Sequence, residues 1–580
     1  MNADRTGPVV RRLFRLAGDP RSAVRLTVLT LLNGLFTPDG GGDSVADVAA
    51  VALADPDDAV RRAACWLFVA SAGVDRAADA MSSASDPVVR VALAEAIYLE
   101  PPQRPDDDRW SRLVAQMRRD ELPAVRVLGS LAALRTAIPG DWTGLDAALR
   151  GDLEAAAGAL GGQGGRSTWG AGQRWAAALS RLDREEDSYS WVERLLRRHE
   201  PERARQAGLD IAAEAMRTWR AAPARLTPAL STVLNEPPSP VRVTAVEVVS
   251  ASLTATRLAA DNLVPLLAEP ALSTTVAAAL GSIGDPRALP VLLRMLRAGA
   301  RSPRLARALA AVAPALSDPT EVVKTARDVL AGHRDPCHAG RSWQPCPAVA
   351  AVRALATIGP AARAAVPELT VRLRAALDRG DPAAAGLEVF ALQQIGPPAT
   401  PAVALLRPLM TGDHRDADCA AKAVLAITED RTVADDYLDA RPEQLRRCRI
   451  APHLLTWLTH HGGLTDRQVR QMNHLFTQPG AMQVGVAATL WRHNGPAAAP
   501  RLLAELPKYL DDDAFGPTAM AVLSEMGRYA GPALSHLDRL IESPHRTPVY
   551  LGDPDAEMRA DEQLFDLAVA TRTVVRGTSV

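Results

Sequence analysis

The stretch Asp55-Pro56-Asp57-Asp58-Ala59-Val60-Arg61-Arg62-Ala63-Ala64-Cys65-Trp66-Leu67-Phe68-Val69-Ala70-Ser71 decides the fold of this chain. An Asp ahead of a helix accepts hydrogen bonds from free first-turn N–H groups. A Pro at the first helical position loses no donor that the helix would use. Asp55 and Pro56 therefore predict a helix start. Val60, Ala64, Leu67 and Ser71 then follow the i, i+4, i+7 spacing of an apolar stripe, with Ala63 and Ala70 beside it.

The same element recurs on both sides. Asp19-Pro20 is followed by Val24-Arg25, and Asp86-Pro87 by Val89-Arg90; Ser239-Pro240-Val241-Arg242 is a degenerate copy. The steps from Asp19 to Asp55 and from Asp55 to Asp86 are 36 and 31 residues. A second element ends such helices and starts the next. Ile283-Gly284-Asp285-Pro286 reads as helix end, left-handed Gly, N-cap and first helical residue. Ile358-Gly359-Pro360 and Ile395-Gly396-Pro397 repeat it without the Asp, and Asn494-Gly495-Pro496 and Met526-Gly527 are weaker copies. Gly359 and Gly396 are 37 residues apart, and Gly284 and Gly359 are 75 apart, about two units. A fixed period of this length is the signature of a stacked helix-pair array.

These elements resemble the HEAT-repeat family, in particular the short bacterial HEAT-like repeats of the phycobilisome-lyase type. The resemblance implies an all-α, right-handed α-α superhelical solenoid of HEAT-type helix pairs, of roughly 15 units at this repeat length. Units near 100–235 and 411–480 keep helical patterning but lose most signature residues. The reading divides the chain into repeats over 1–157, a Gly-rich loop or hinge over 158–172 and central repeats over 173–331. An inserted loop over 332–347, C-terminal repeats over 348–545 and a terminal helix and tail over 546–580 complete it. Glu557, Asp561, Glu562 and Asp566 suit the polar outer face of a terminal cap.

Composition agrees with such an array. The 580 residues are 47% hydrophobic and only 4% aromatic, so Ala, Leu and Val must fill the core. A net charge of -1 argues against a nucleic-acid coat or a membrane-surface binder. The charge is unevenly spread: residues 201–500 hold 33 Lys and Arg against 26 Asp and Glu, so this middle is basic and the two ends are acidic. Five cysteines do not make a disulfide framework and suit a reducing, cytoplasmic setting. The first twenty residues hold no apolar run of signal-peptide length, and the expectation is a chain with no membrane span.

No catalytic residue, cofactor site or metal site is assigned. The Gly158–Gly172 stretch lacks the Gly-Lys-Ser/Thr ending of a phosphate loop and reads as a linker. His333, Cys337, His338 and Cys346 match no standard zinc spacing; Cys337 and Cys346 could equally face each other. His453, His460, His461 and His474 read as solvated histidines.

The candidate partner site is a concentration of Trp and Arg: Trp169, Trp175, Trp191, Arg194, Arg197, Arg198, Trp219 and Arg220. Trp and Arg commonly anchor binding surfaces, and the competing reading is that each Trp fills a core short of volume. The expected function is a non-enzymatic scaffold or adaptor. It binds another protein, through an acidic segment, on the concave face of the central block, about residues 160–380. The resemblance also carries an alternative, an enzyme like the alkylpurine DNA glycosylases or a lyase or isomerase acting on a small molecule or chromophore. No local motif carries those enzymes' functional residues onto this sequence.

Overall fold

The Asp-Pro…Val-Arg element builds helices by two routes. In the computed structural model, Asp86 caps the helix Pro87–Leu99 and accepts from Val88 N at 2.8 Å, as its residues suggest. At the quoted stretch the cap is instead Asp57. It accepts from Ala59 N and Val60 N at 2.9 and 3.3 Å, and the helix begins at Asp58. Asp55 sits in the preceding turn, where it accepts from Asp57 N at 2.9 Å, and Pro56 is not the first helical residue. The local sequence offers two acids for one cap, and the one nearer the stripe takes it.

The structure describes residues 3–35, 42–99, 108–136, 171–181, 183–333, 346–381, 385–411, 415–440, 450–549 and 551–577. Among them 81% are helical and none lies in a strand. The chain divides into two units, Met1–Thr218 and Trp219–Val580. This boundary falls inside the expected central block of 173–331. Residues 158–170 of the expected hinge and 334–345 of the expected insertion lie outside the described residues.

In the first unit the helices α1 (Ser22–Leu35), α2 (Asp58–Ser83), α3 (Pro87–Leu99) and α4 (Pro123–Thr136) pack in succession. Gly73, at φ 76° and ψ 171°, breaks α2 into the two helices of one pair. The motif Arg of each pair reaches forward to the motif acid of the next. Arg25 donates to both Asp55 carboxylate oxygens at 2.7 and 2.8 Å, and Arg61 lies 3.1 Å from Asp86. Arg90 donates to Asp120 at 2.5 Å. Each fork also holds its own turn, as Arg25 does through Asp19 O at 2.8 Å and Arg61 through Asp55 O at 2.6 Å. Arg126 bonds Asp120 O and Glu121 O at 2.9 Å. Asp120…Val125-Arg126 is thus a fourth copy, which the sequence reading missed because Pro123 stands three residues after the Asp. The Arg25–Asp55 pair is bidentate and little exposed, and pairs of this kind are the strong ones. Farther along, Ala171–Arg181 (α5), Glu185–Leu195 (α6) and Glu202–Thr218 (α7) complete the unit.

The second unit has a closely stacked layer and a looser outer one. The close layer runs α8 (Pro240–Ala251), α9 (Ser273–Ser282), α10 (Pro303–Val312), α11 (Pro347–Ile358), α12 (Gly386–Ile395) and α13 (Arg415–Thr428). It continues through α14 (Ala451–His460), α15 (Ala481–Asn494), α16 (Gly516–Met526) and α17 (Pro554–Val575). Outer helices such as Thr320–Gly332 and Val366–Asp378 back onto it.

Small side chains set the close spacing. Ala348, Ala350, Ala351 and Ala354 of α11 are buried, and a Cβ on Gly281 of α9 would lie 2.7 Å from Ala308 Cβ of α10. Gly359, Gly396, Gly495 and Gly527 end their helices at φ 65°, 72°, 56° and 54° with ψ between -128° and -142°. This region belongs to glycine. The expected all-α solenoid of stacked helix pairs is present among the described residues.

Pro347–Asp378 is long and apolar enough to cross a membrane by length and composition, but its window is 56% buried within the chain. It is α11 and its outer partner, parted by a 3-10 turn over Gly359–Ala365. Burial against neighbouring helices makes it the core pair of a repeat.

Candidate partner-binding site

The expected Trp–Arg site is split between the two units. Trp175, Trp191, Arg194, Arg197 and Arg198 belong to the first unit and Trp219 and Arg220 to the second; Trp169 lies outside the described residues. Trp175 and Trp219 are 0% exposed and Trp191 is 4% exposed. Trp175 and Trp191 meet edge to face, their centroids 5.5 Å apart. Rings this large fill volume that Ala and Val neighbours leave empty, so these three present no area to a partner. Arg194 lies over the Trp191 ring at 4.3 Å, a cation–π contact that holds it to its own helix. Arg197 and Arg198, past the end of α6, remain exposed.

Arg220 is a structural residue. Its side chain is 9% exposed and bonds Asp561 of α17 at 2.6 and 3.2 Å and Thr547 Oγ1 at 2.8 Å, and it also donates to Leu540 O. Arg546 lies 3.0 Å from Asp561 and 3.4 Å from Glu562. Glu562 in turn accepts from Ser252 Oγ at 2.6 Å and Leu253 N at 2.7 Å. Buried charges persist when every lone pair finds a donor, and the two carboxylates here find theirs on both ends of the unit. The expectation of a polar outer cap is therefore overturned for Asp561 and Glu562, which are 1% and 5% exposed. Asp566 stays exposed and pairs with Arg257 at 3.1 Å; Glu557 accepts from Leu551 N and Gly552 N. Sequence reasoning could see the charges of α17 but had no local signal for partners more than 300 residues away.

This junction joins α17 both to its neighbour α16 and to α8, the first helix of the close layer. The terminal helix thus ties the end of the second unit back to its beginning.

Two further titratable groups stand apart. In α7, burial raises the Asp210 carboxyl to about 6, against hydrogen bonds from Gln206 and Gln173 and the Arg217 charge, which lower it. In α14, His453 is lowered to about 4, by the walls around it and then by the Lys422 ammonium. The residue is nonetheless exposed, between the buried Pro452 and Leu454. Among the described residues no group of three or more His, Cys, Asp or Glu could hold a metal ion. Cys65 and Cys419 are free thiols and Cys346 is disulfide-bonded; Cys337, which the sequence leaves open to face it, lies outside the described residues.

The chain matches no known family profile and no curated protein. Among solved structures it is similar to importin beta crystallised in a polyethylene glycol condition, with a TM-score of 0.42 and 12% identity, over 97% of this chain and 100% of that one. It is also similar to Kap121p bound to Pho4p, with a TM-score of 0.40 and 10% identity, over 99% of this chain and 76% of that one. A complex of Kap95p with RanGDP gives a TM-score of 0.38 and 11% identity, over 99% and 78% of the two chains.

Proposed function

We propose that this chain is a non-enzymatic scaffold or adaptor that binds another protein through an acidic segment, on the exposed face of the close layer in the second unit. We take that face as the concave one, because closely spaced helices trace the shorter arc of a curved array. The observation that carries the reading is the layer itself. Successive helices offer the same exposed positions to solvent, one after another, and such ladders suit an extended partner. The basic middle of the sequence supplies the attraction, and Arg holds carboxylates through paired donors. Affinity purification of the full chain from its native host, with mass spectrometry of the proteins that co-purify, tests the reading. One stoichiometric protein that dissociates as salt rises is the expected result. A co-purifying nucleic acid or small molecule in its place would overturn it.

A further inference from the structure

Five consecutive helices of the close layer carry an exposed or half-exposed residue at one register position, five residues before an aliphatic near the helix end. They are Arg307 before Val312 on α10, Arg353 before Ile358 on α11, Phe390 before Ile395 on α12, Lys422 before Ile427 on α13 and His453 before Leu458 on α14. The residues on either side of each are buried, so each projects from a packed stretch of helix. Phe390 is 47% exposed, a large ring with no core to fill.

Helices α10 to α13 pack each on the next, so Arg307, Arg353, Phe390 and Lys422 form one row. At its α10 end the row meets the terminal helix. Arg304, one turn before Arg307, lies 3.9 Å from Asp555. Arg559 of α17 donates to Ala251 O at 3.0 Å and lies 4.0 Å from Asp553. Arg559 also holds its proton less firmly than usual, first because it is buried and then because Arg307 and Arg304 repel it. Three cations at one place face two carboxylates, at 3.9 and 4.0 Å, and this leaves an excess of positive charge.

We propose that this row, Arg307, Arg353, Phe390 and Lys422, is the seat of an extended acidic peptide segment whose anchoring side chains recur every third residue. The proposal rests on the adaptor reading above and gives it a site. Packed helices stand about 8–10 Å apart, and an extended chain in the polyproline II conformation advances about 3.1 Å per residue with three residues per turn, so every third side chain faces the same way. Each step of the row therefore spans about three residues, and the row from Arg307 to Lys422 about ten. The matching segment has the pattern acid-x-x-acid-x-x-apolar-x-x-acid, with the apolar residue on Phe390. A nucleic-acid strand fits less well. Its unbroken charge would meet an uncharged ring at the third position.

The test uses the full chain and three fluorescent probes. One is a ten-residue peptide with Glu at positions 1, 4 and 10, Leu at position 7 and Gly or Ser elsewhere. The others are a peptide of the same composition in scrambled order and a ten-nucleotide single strand. The patterned peptide should bind, and the scrambled one several-fold more weakly. Arg353→Glu with Lys422→Glu should weaken binding at least tenfold, and Phe390→Ala several-fold. The outer-layer control Lys324→Glu with Arg374→Glu, which makes the same charge change on exposed residues, should leave it within twofold. An equal loss in the control, no discrimination between the two peptides, or tighter binding of the oligonucleotide would each overturn the site. Failure of the site and failure of the adaptor reading are separable. A native protein partner retained by Arg353→Glu with Lys422→Glu removes the row and leaves the adaptor, whereas the absence of any native protein partner removes both.

Discussion

Arg220 and Asp561 stand 341 residues apart and are joined by two hydrogen bonds, of 2.6 and 3.2 Å, which tie the end of the second unit to its beginning. Removing one partner of a buried ion pair leaves the other charge uncompensated and costs about 3–5 kcal/mol. Arg220→Ala is expected to destabilise the unit by that order, and the loss should show at both ends of the sequence. Hydrogen exchange should quicken in Pro554–Val575 and in Pro240–Leu258 together. Faster exchange in the terminal helix alone would mean that the first helices do not depend on it.

The forward-reaching pairs of the first unit give a different outcome. Asp55→Ala removes both bonds from Arg25 and the turn bond from Asp57 N, and a hydrogen bond to a charged group is worth about 1.5–3 kcal/mol. Opening should be local to the two adjoining pairs, as expected where repeats contact only their neighbours. The Arg25 guanidinium, through its hydrogen bonds, holds the Asp55 carboxyl below 3.8. Its stabilisation is therefore present at neutral pH and is lost as pH falls through the lowered folded value. Acid unfolding of Asp55→Ala should be less steep than that of the parent, and an unchanged acid limb would contradict the pairing.

Asp210 runs the other way. Burial raises its carboxyl from 3.8 to about 6, so the folded chain binds the proton more tightly than the unfolded chain between these values. Stability from this group is greatest below pH 4 and declines as pH rises to about 6, after which a constant penalty remains. Asp210→Asn should stabilise the first unit at pH 7 by up to about 3 kcal/mol. The gain should vanish toward pH 3.8, and a gain independent of pH would refute the assignment.

Trp175 is a candidate anchor by sequence and a core residue by structure, 0% exposed. Trp175→Ala should cost about 3–5 kcal/mol through the cavity it leaves. Capture of the native partner by the folded fraction should be unchanged. Lost capture at an unchanged melting temperature would return the ring to the surface.

How far the sequence could be read depended on the range of each interaction. The apolar stripe after Asp55 and the glycines at 359, 396, 495 and 527 are local signals, and each built the element it suggested. Cap assignment slipped by two residues at Asp55, because Asp57 competes for the same N–H groups. The tryptophans were ambiguous, since a ring that fills a core and a ring that anchors a partner have the same sequence. Arg220, Asp561 and Glu562 were unreadable, because their pairing depends on where the whole second unit returns. The row from Arg307 to Lys422 was hidden for a related reason. Its members share a register position only once four helices are stacked.

Cys346 offers a direct check on compartment. Alkylation of the denatured chain without reductant should leave Cys346 unmodified, and reductant should expose it, given its disulfide. Full alkylation before reduction would favour the reducing setting that five scattered cysteines suggest.

The terminal helix α17 covers the last pair of the second unit and the first. An open array can gain or lose a pair by duplication or deletion, since only one seam has to be remade. One whose end is tied to its beginning cannot, because the helix that returns to Ser252 and Leu253 would then arrive at the wrong angle or fall short. The number of pairs in the second unit is therefore fixed by geometry. Single residues can drift in its evolution, but whole repeats could be added only by abandoning the Arg220–Asp561 seam.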